Sequence, residues 1–321
     1  MCKLRDCFFG IIALVIDLVI GLTVYVTGQN TAAKPMAVAA VEALYARHGY
    51  RARLYPGCLA THHGELDYLA GPEVRRLADL HAAIADADVA AIHCLRGGYG
   101  TMRLLDGVDT ALVRACPKLL VGYSDITALQ ALWCREGLPS LHAPMPASDL
   151  VLPGREADAQ ALFTLLRHGH RAGDVLAPAL DPALAAVRLP GRAEGLLVGG
   201  NLSLVAALLG TAYAWPAAGA VLFLEDINEE LYRVDRLLTQ LRLAGVLDAV
   251  AGIVLGSFTE AAAPLPLLRE LLLPLCRRRG VPLLAGWPAG HGTPNRPLPL
   301  GLRVRLDADA GTLTLQQDLL R

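Results

Sequence analysis

Two short apolar runs, Val89–Leu95 and Leu119–Tyr123, constrain the fold of this chain more than any other feature. Neither alternates polar with apolar residues, so each must be covered on both faces, as strands of a parallel sheet are. Helical patterns bracket them. Pro72–Ala85 puts Leu77, Leu80, Ala83 and Ile84 on one face ahead of the first run, and Ile126–Glu136 follows the second. Upstream, Pro35–His48 carries Val38, Val41, Leu44 and Tyr45 on one face, with Gly49 to close it, and Tyr50–Tyr55 alternates as a strand. Strands and helices in this order predict βαβ units. The fold class expected is therefore α/β, with a Rossmann-like or flavodoxin-like parallel-sheet domain over residues 19–147. Residues 148–181, which contain a helical pattern at Glu156–His168 and then Gly173 and Pro178, read as a connector. Beyond it, over 182–321, strands Ala193–Val198, Ala220–Leu224 and Gly252–Phe258 alternate with helices Leu202–Leu209, Tyr232–Ala244 and Leu265–Arg277. Leu302–Leu306 and Thr312–Leu315 flank a turn as a closing hairpin, so this second domain is expected to be mixed α/β.

Composition removes several classes of function. The chain has 29 Lys plus Arg against 30 Asp plus Glu, and only 5% aromatic residues. It has neither the basic excess nor the stacking residues that nucleic-acid binding uses, so nucleic acid is excluded as a partner. Its seven cysteines are odd in number and include no Cys-x-x-Cys pair, which predicts neither a disulfide framework nor a zinc ribbon. The apolar run Phe8–Val26, preceded by Lys3 and Arg5, has the form of a membrane anchor or signal sequence. Against that, an ionised Asp17 at mid-run costs about 2.5–3.5 kcal/mol in a membrane. Leu18–Thr27 also reads as a buried strand ended by Gly28. The expectation is a soluble protein with an apolar extension over residues 1–18; a membrane-anchored binding module is the competing reading.

The sharpest chemical signal is Gly122-Tyr123-Ser124-Asp125, between a buried strand and an apolar helix. A serine on such a turn stands above the sheet, with the amides of the helix start aimed at a developing oxyanion. The bland alternative is that Ser124 only caps the helix. Arg96-Gly97-Gly98-Tyr99-Gly100 closes the preceding strand, and the two turns are neighbours in a doubly wound sheet. An amide of this second turn, at Gly98, can join that of Asp125 as an oxyanion hole. Arg96, Gly97 and Tyr99 are substrate-binding candidates by position, with a structural salt bridge as the alternative role for Arg96. A nucleophilic hydroxyl needs a base and the base an orienting group. Of nine histidines, His142 and His291 stand in suitable loops, and His291, between Gly290 and Gly292, ranks first. Glu225 ends the apolar run Leu222–Leu224, where a buried carboxylate needs a partner. That partner is an imidazole on the catalytic reading, and Arg233 or Arg236 on the structural one.

These residues resemble a known family, the serine peptidases called L,D-carboxypeptidases or murein tetrapeptide carboxypeptidases. The likeness runs through Tyr68-Leu69-Ala70-Gly71, Arg75–His81, Arg96–Gly100 and Val121–Thr127. It continues through Gly199–Leu202, Leu224–Asp226, Tyr232–Arg236, Gly256-Ser257-Phe258 and Gly290-His291-Gly292. It implies Ser124 as nucleophile, His291 as general base and acid, and Glu225 as the residue that orients His291. It implies two domains with the site at their junction, a homodimer in the bacterial cytoplasm, and a murein peptide substrate that loses its terminal D-alanine. No metal or cofactor is implied. Relatives of the family that cleave peptidyl-nucleotide antibiotics supply an alternative substrate for the same three residues. Two positions depart from the pattern: Thr27 stands where serine is usual and Ala143 where glycine is usual.

Overall fold

The computed structural model describes residues 17–20, 34–59, 66, 68–259, 266 and 268–319. The first sheet is built from β1 (Asp17–Ile20), β2 (Arg51–Leu54), β3 (Val89–His93), β4 (Leu119–Gly122), β5 (Ser140–His142) and a late strand, β11 (Leu298–Leu300). Its order is β11-β5-β4-β3-β1-β2; all pairs are parallel except β11 against β5. Helices α1 (Lys34–Arg47), α2 (Glu73–Ala85), α3 (Thr110–Ala115), α4 (Thr127–Arg135) and α5 (Glu156–His168) accompany it.

The apolar strands are buried for the expected reason. Leu120 and Ile92 turn to one core with Leu80, Ile84 and Trp133, whereas Leu119, Val121 and Ala91 turn to another with Val41, Tyr45 and Phe163. Both faces of the sheet are thus covered by helices, as in a doubly wound α/β fold.

The second sheet has the order β10-β9-β8-β7-β12-β13-β6. Its strands are β6 (Val175–Leu176), β7 (Arg192–Asn201), β8 (Val221–Ile227), β9 (Gly252–Thr259), β10 (Leu283–Ala285), β12 (Arg303–Asp307) and β13 (Thr312–Leu315). Strands β7 to β10 are parallel, and β12–β13 is the antiparallel hairpin expected from the sequence. Helices α6 (Pro182–Ala185), α7 (Leu202–Ala207) and α8 (Leu231–Leu243) belong to this part. One core runs unbroken from Trp133 and Leu129 of α4 into Leu197, Val198 and Phe223 of the second sheet. The seam carries a polar tie as well: the Asn201 amide donates to Thr127 Oγ1 at 3.1 Å.

Several sequence boundaries shift. Strand β1 begins at Asp17, so it takes the last residues of the expected extension 1–18. Residues 21–33, with the rest of the expected strand Leu18–Thr27, lie outside the described residues, as do 1–16. Residues 148–181 do not act as one connector. Helix α5 packs Phe163 edge-on against Tyr45 of α1, their ring centroids 5.1 Å apart, because its apolar stripe fits the open face of the first sheet. Strand β6 instead pairs with β13. The segment 182–321 is also not confined to the second sheet, since β11 returns to pair with β5. The expected helix Leu265–Arg277 resolves, from Leu268, into a π-helical turn at Leu268–Leu272 and an α-helix at Leu273–Arg279, with Pro274 at the start of the latter. Among the described residues, no helix is long and apolar enough to cross a membrane.

Candidate active site

Strand β4 delivers Ser124 at its carboxyl end, where the chain turns into α4. Ser124 sits at φ 63°, a left-handed conformation that a side-chain-bearing residue adopts only under constraint. The constraint is visible. Gln130 of α4 donates through Nε2 to the carbonyls of Gly122 (3.0 Å) and Leu141 (2.9 Å), pinning the strand end that precedes the turn. Ser124 does not cap α4: it opens a 3-10 turn, Ser124–Ile126, ahead of that helix, whose N-cap is Ile126, and its hydroxyl is hydrogen-bonded to His291.

The neighbouring turn is pressed against this serine. A Cβ at Gly97 would lie 2.9 Å from Ser124 Cβ and 3.1 Å from Ser124 Oγ, so only glycine fits there. The Thr101 amide donates to Asp125 Oδ2 at 2.8 Å and ties the two turns together. Burial pushes the Asp125 carboxyl up to about 6, although the Thr101 bonds and the Arg76 guanidinium pull the other way. Gly98 follows Gly97 at φ 134°, Arg96 is half-buried, and Tyr99 is exposed with its ring 6.0 Å from that of Tyr68.

The second sheet supplies the other half. Glu225 lies near the end of β8 and is fully buried, with Asp226 beside it also buried. His291 comes from the loop between β10 and β11. Its Nε2 lies 3.1 Å from Ser124 Oγ and its Nδ1 2.7 Å from Glu225 Oε2. The His291 amide donates to the same Oε2 at 3.2 Å. Gly290, at φ 116°, lets the loop come this close; a Cβ there would lie 2.5 Å from Oε2. The arginine alternative for Glu225 does not occur: its Oε2 is on His291, Arg233 pairs with Glu229, and Arg236 lies over the Tyr232 ring.

Charge and burial oppose each other here. Burial pushes the Glu225 carboxyl up, but the His291 charge and the polar edges of His142 and His291 outweigh it and hold it at about 2. Burial lowers the pKa of His291, yet the Glu225 charge and hydrogen bond, with smaller help from Asp226 and Asp149, leave it above the usual imidazole value. The result is a hydroxyl, a basic imidazole and an ionised carboxylate in line across the seam of two sheets. That arrangement can take a proton from Ser124 and return it to a leaving group.

Sequence reasoning gave no role to several supporting residues. Ser257 Oγ accepts from the Gly292 amide at 2.8 Å, and Asn295 Oδ1 accepts from the Gly290 amide at 3.1 Å, so the two brace the His291 loop from either side. Asp226 accepts from Asn201 Nδ2 at 2.8 Å and from Ser203 Oγ at 2.8 Å, fixing the strand end beside Glu225. Tyr123 places its ring 4.7 Å from that of His291 and donates its hydroxyl to Asp149 at 2.9 Å. Gly256-Ser257-Phe258 was a visible motif; nothing local to Asn295 announces its role. Among the described residues, no cluster of His, Cys, Asp or Glu could hold a metal ion.

Comparison with known proteins gives an independent view. Residues 23–143 match the model of the LD-carboxypeptidase N-terminal domain, and residues 194–306 that of the LD-carboxypeptidase C-terminal domain. The murein tetrapeptide carboxypeptidase of Pseudomonas aeruginosa is 36% identical over 75% of this chain and 80% of its own. The crystal structure of muramoyltetrapeptide carboxypeptidase from Oxalobacter formigenes superposes with a TM-score of 0.77, at 28% identity over 95% of this chain and 99% of its own. The microcin C7 self-immunity protein, solved with aspartyl sulfamoyl adenosine, gives a TM-score of 0.81 at 22% identity over 96% of this chain and 98% of its own. At that identity the likeness speaks for the fold alone.

Proposed function

Since the chain belongs to the LD-carboxypeptidase family and is a serine-type carboxypeptidase, we propose that it removes the terminal D-alanine of a murein tetrapeptide through Ser124, His291 and Glu225. The observation that carries this reading is the unbroken chain Ser124 Oγ, His291 Nε2, His291 Nδ1, Glu225 Oε2, with separations of 3.1 and 2.7 Å at its two links.

In the first step Ser124 Oγ attacks the carbonyl carbon of the L,D-amide while His291 Nε2 takes its proton. The oxyanion rests on the amides of Asp125 and of the Gly97–Gly98 turn. The C–N bond then breaks, His291 gives the proton to the departing D-alanine nitrogen, and an acyl-enzyme remains. Water, deprotonated by His291, attacks the ester and releases the shortened peptide. Glu225 stays ionised and stabilises the imidazolium in both steps. Arg96 is the candidate for holding the substrate's carboxylate. We assign the reaction to a homodimer in the cytoplasm on family resemblance alone.

The test is mass-spectrometric loss of one D-alanine from L-Ala–D-Glu–diaminopimelate–D-Ala. Turnover is expected with the parent protein and should fall by about 10⁴-fold or more in Ser124→Ala. Turnover retained in that variant, with contamination excluded, overturns the assignment. An acyl-sulfamoyl adenylate in a parallel assay tests the substrate class: cleavage of it, with the tetrapeptide untouched, replaces the murein reading by one of antibiotic immunity.

A further inference from the structure

Glu225 uses only one of its two oxygens on His291. Oε2 accepts both bonds from His291, while Oε1 has no hydrogen-bond partner although it is buried. The polar group facing it is Nε2 of His142, 3.7 Å away. His142 is itself fully buried, and neither of its ring nitrogens has a hydrogen-bond partner. A buried imidazole and a buried carboxylate oxygen left unpaired side by side are an exception among folded proteins and require a reason.

The ring is not free to look elsewhere. It is wedged against Tyr123, with centroids 5.5 Å apart, and Phe223, with centroids 5.0 Å apart, both near edge-on. Its backbone lies in β5, in register with Gly122 of β4 on one side and Leu298 of β11 on the other. His142 therefore belongs to the rigid frame that carries Ser124, whereas Glu225 belongs to the second sheet. The gap of 3.7 Å is too long for a hydrogen bond and too short to admit a water between the two atoms. Catalytic hydrogen bonds are often long in a free enzyme and tighten when substrate is bound.

We propose that His142 is a positioning residue: its Nε2–H donates to Glu225 Oε1 when the 3.7 Å separation shortens in the substrate complex, which locks the carboxylate's other oxygen onto His291. Glu225 is held by one imidazole from its own half of the molecule and one from the half that bears the nucleophile. This inference rests on the triad reading above, and the parent and Ser124→Ala assays decide that reading first.

The test compares His142→Phe, which keeps the ring and loses the donor, with His142→Gln, which returns a donor near the Nε2 position. The expected result for His142→Phe is a fall in kcat of about 10–100-fold, the size typical of a partner that orients a catalytic ligand, with KM within about twofold of the parent. Its acid limb in kcat should move to lower pH, because Oε2 no longer stays on His291. His142→Gln should recover most of kcat and of the pH profile. Unchanged kcat and pH profile in a folded His142→Phe overturn the proposal, and so does a His142→Gln variant that folds but is as slow as His142→Phe. A measurement on the parent protein covers the case in which neither variant folds. Imidazole ¹⁵N resonances should show one buried histidine, besides His93 with its bonds to Tyr45 and to the Pro144 carbonyl, as the Nε2–H tautomer with reaction product bound; an Nδ1–H tautomer there overturns the proposal.

Discussion

On the first sheet, Ser124 is held at φ 63° by Gln130 bonding the strand end and by Gly97 packed against its side chain. On the second, Glu225 is fully buried and His291 is held to it by two hydrogen bonds. The proposed nucleophile is placed by backbone shape and glycine clearance. The proposed base is placed by charge: a carboxylate that burial alone would neutralise stays ionised because imidazole groups surround it. Faults in the two halves should therefore look different. A steric fault on the first side misplaces the attack. An electrostatic fault on the second removes the driving force for proton transfer.

The largest effect expected after loss of Ser124 is on the charged side. Glu225→Gln keeps shape but removes the charge that supports an imidazolium, and kcat should fall by about 10³–10⁴-fold with the fold retained by circular dichroism. A fall of less than tenfold would mean that His291 is oriented by its backbone bond alone. On the other side, Gly97→Ala puts a Cβ 2.9 Å from Ser124 Cβ and 3.3 Å from Met145 Cε, both in packed surroundings. The turn or the serine must move, and a displaced oxyanion donor costs about 10²–10³-fold in kcat. Activity within threefold of the parent would show that the turn yields without cost and is no part of the oxyanion site.

The pH profile separates the halves more finely. On the proposed mechanism His291 must be neutral to accept the serine proton, and its pKa is raised above 6.5 by Glu225 against the pull of burial. The acid limb of kcat/KM should thus lie above pH 6.5 in the parent and drop below it in Glu225→Gln, where burial is no longer opposed by that charge, while Gly97→Ala leaves it in place. For stability the sign runs the other way. The raised His291 contributes fully below 6.5 and its contribution is lost as pH rises through its folded pKa. The lowered Glu225 contributes above 4.5, and that is lost as pH falls toward 2. The pair therefore supports the fold most between about pH 4.5 and 6.5, where the base is still protonated and activity is still climbing. Urea unfolding of the parent and Glu225→Gln across that range measures it.

How much of this was legible in the sequence differs by region. The strands Val89–His93 and Leu119–Gly122 announced themselves because doubly covered strands are apolar throughout, and α5 matched its helical stripe at both ends. The short strands β5, β6 and β11 did not, since two or three residues are too few to show a period. β11 moreover joins a sheet whose other strands end some 150 residues earlier, at His142, a long-range pairing that no local pattern encodes. The Ser124 turn was readable from glycine placement and from the strand-to-helix change. Locally, His291 and Glu225 were readable only as an imidazole and a buried carboxylate each suited to the other, and it was the family resemblance that named them as a pair; the braces Ser257 and Asn295 act through backbone amides that any residue type carries.

The smallest effect expected belongs to the seam between the halves. Thr127 Oγ1 is the acceptor for the buried Asn201 amide, and it links the start of α4, just past Ser124, to the end of β7, beside Glu225. Thr127→Val keeps the volume and strands that amide without a partner, which costs about 1–3 kcal/mol of stability. Because Gln130 and Gly97 still place the serine and Glu225 still places the base, kcat should stay within a few-fold of the parent while the urea midpoint falls. If kcat instead falls as far as in Gly97→Ala, the two halves are not independently rigid. The distance from Ser124 to His291 would then depend on the seam itself, and the contrast between a steric half and an electrostatic half would give way to one mechanically coupled site.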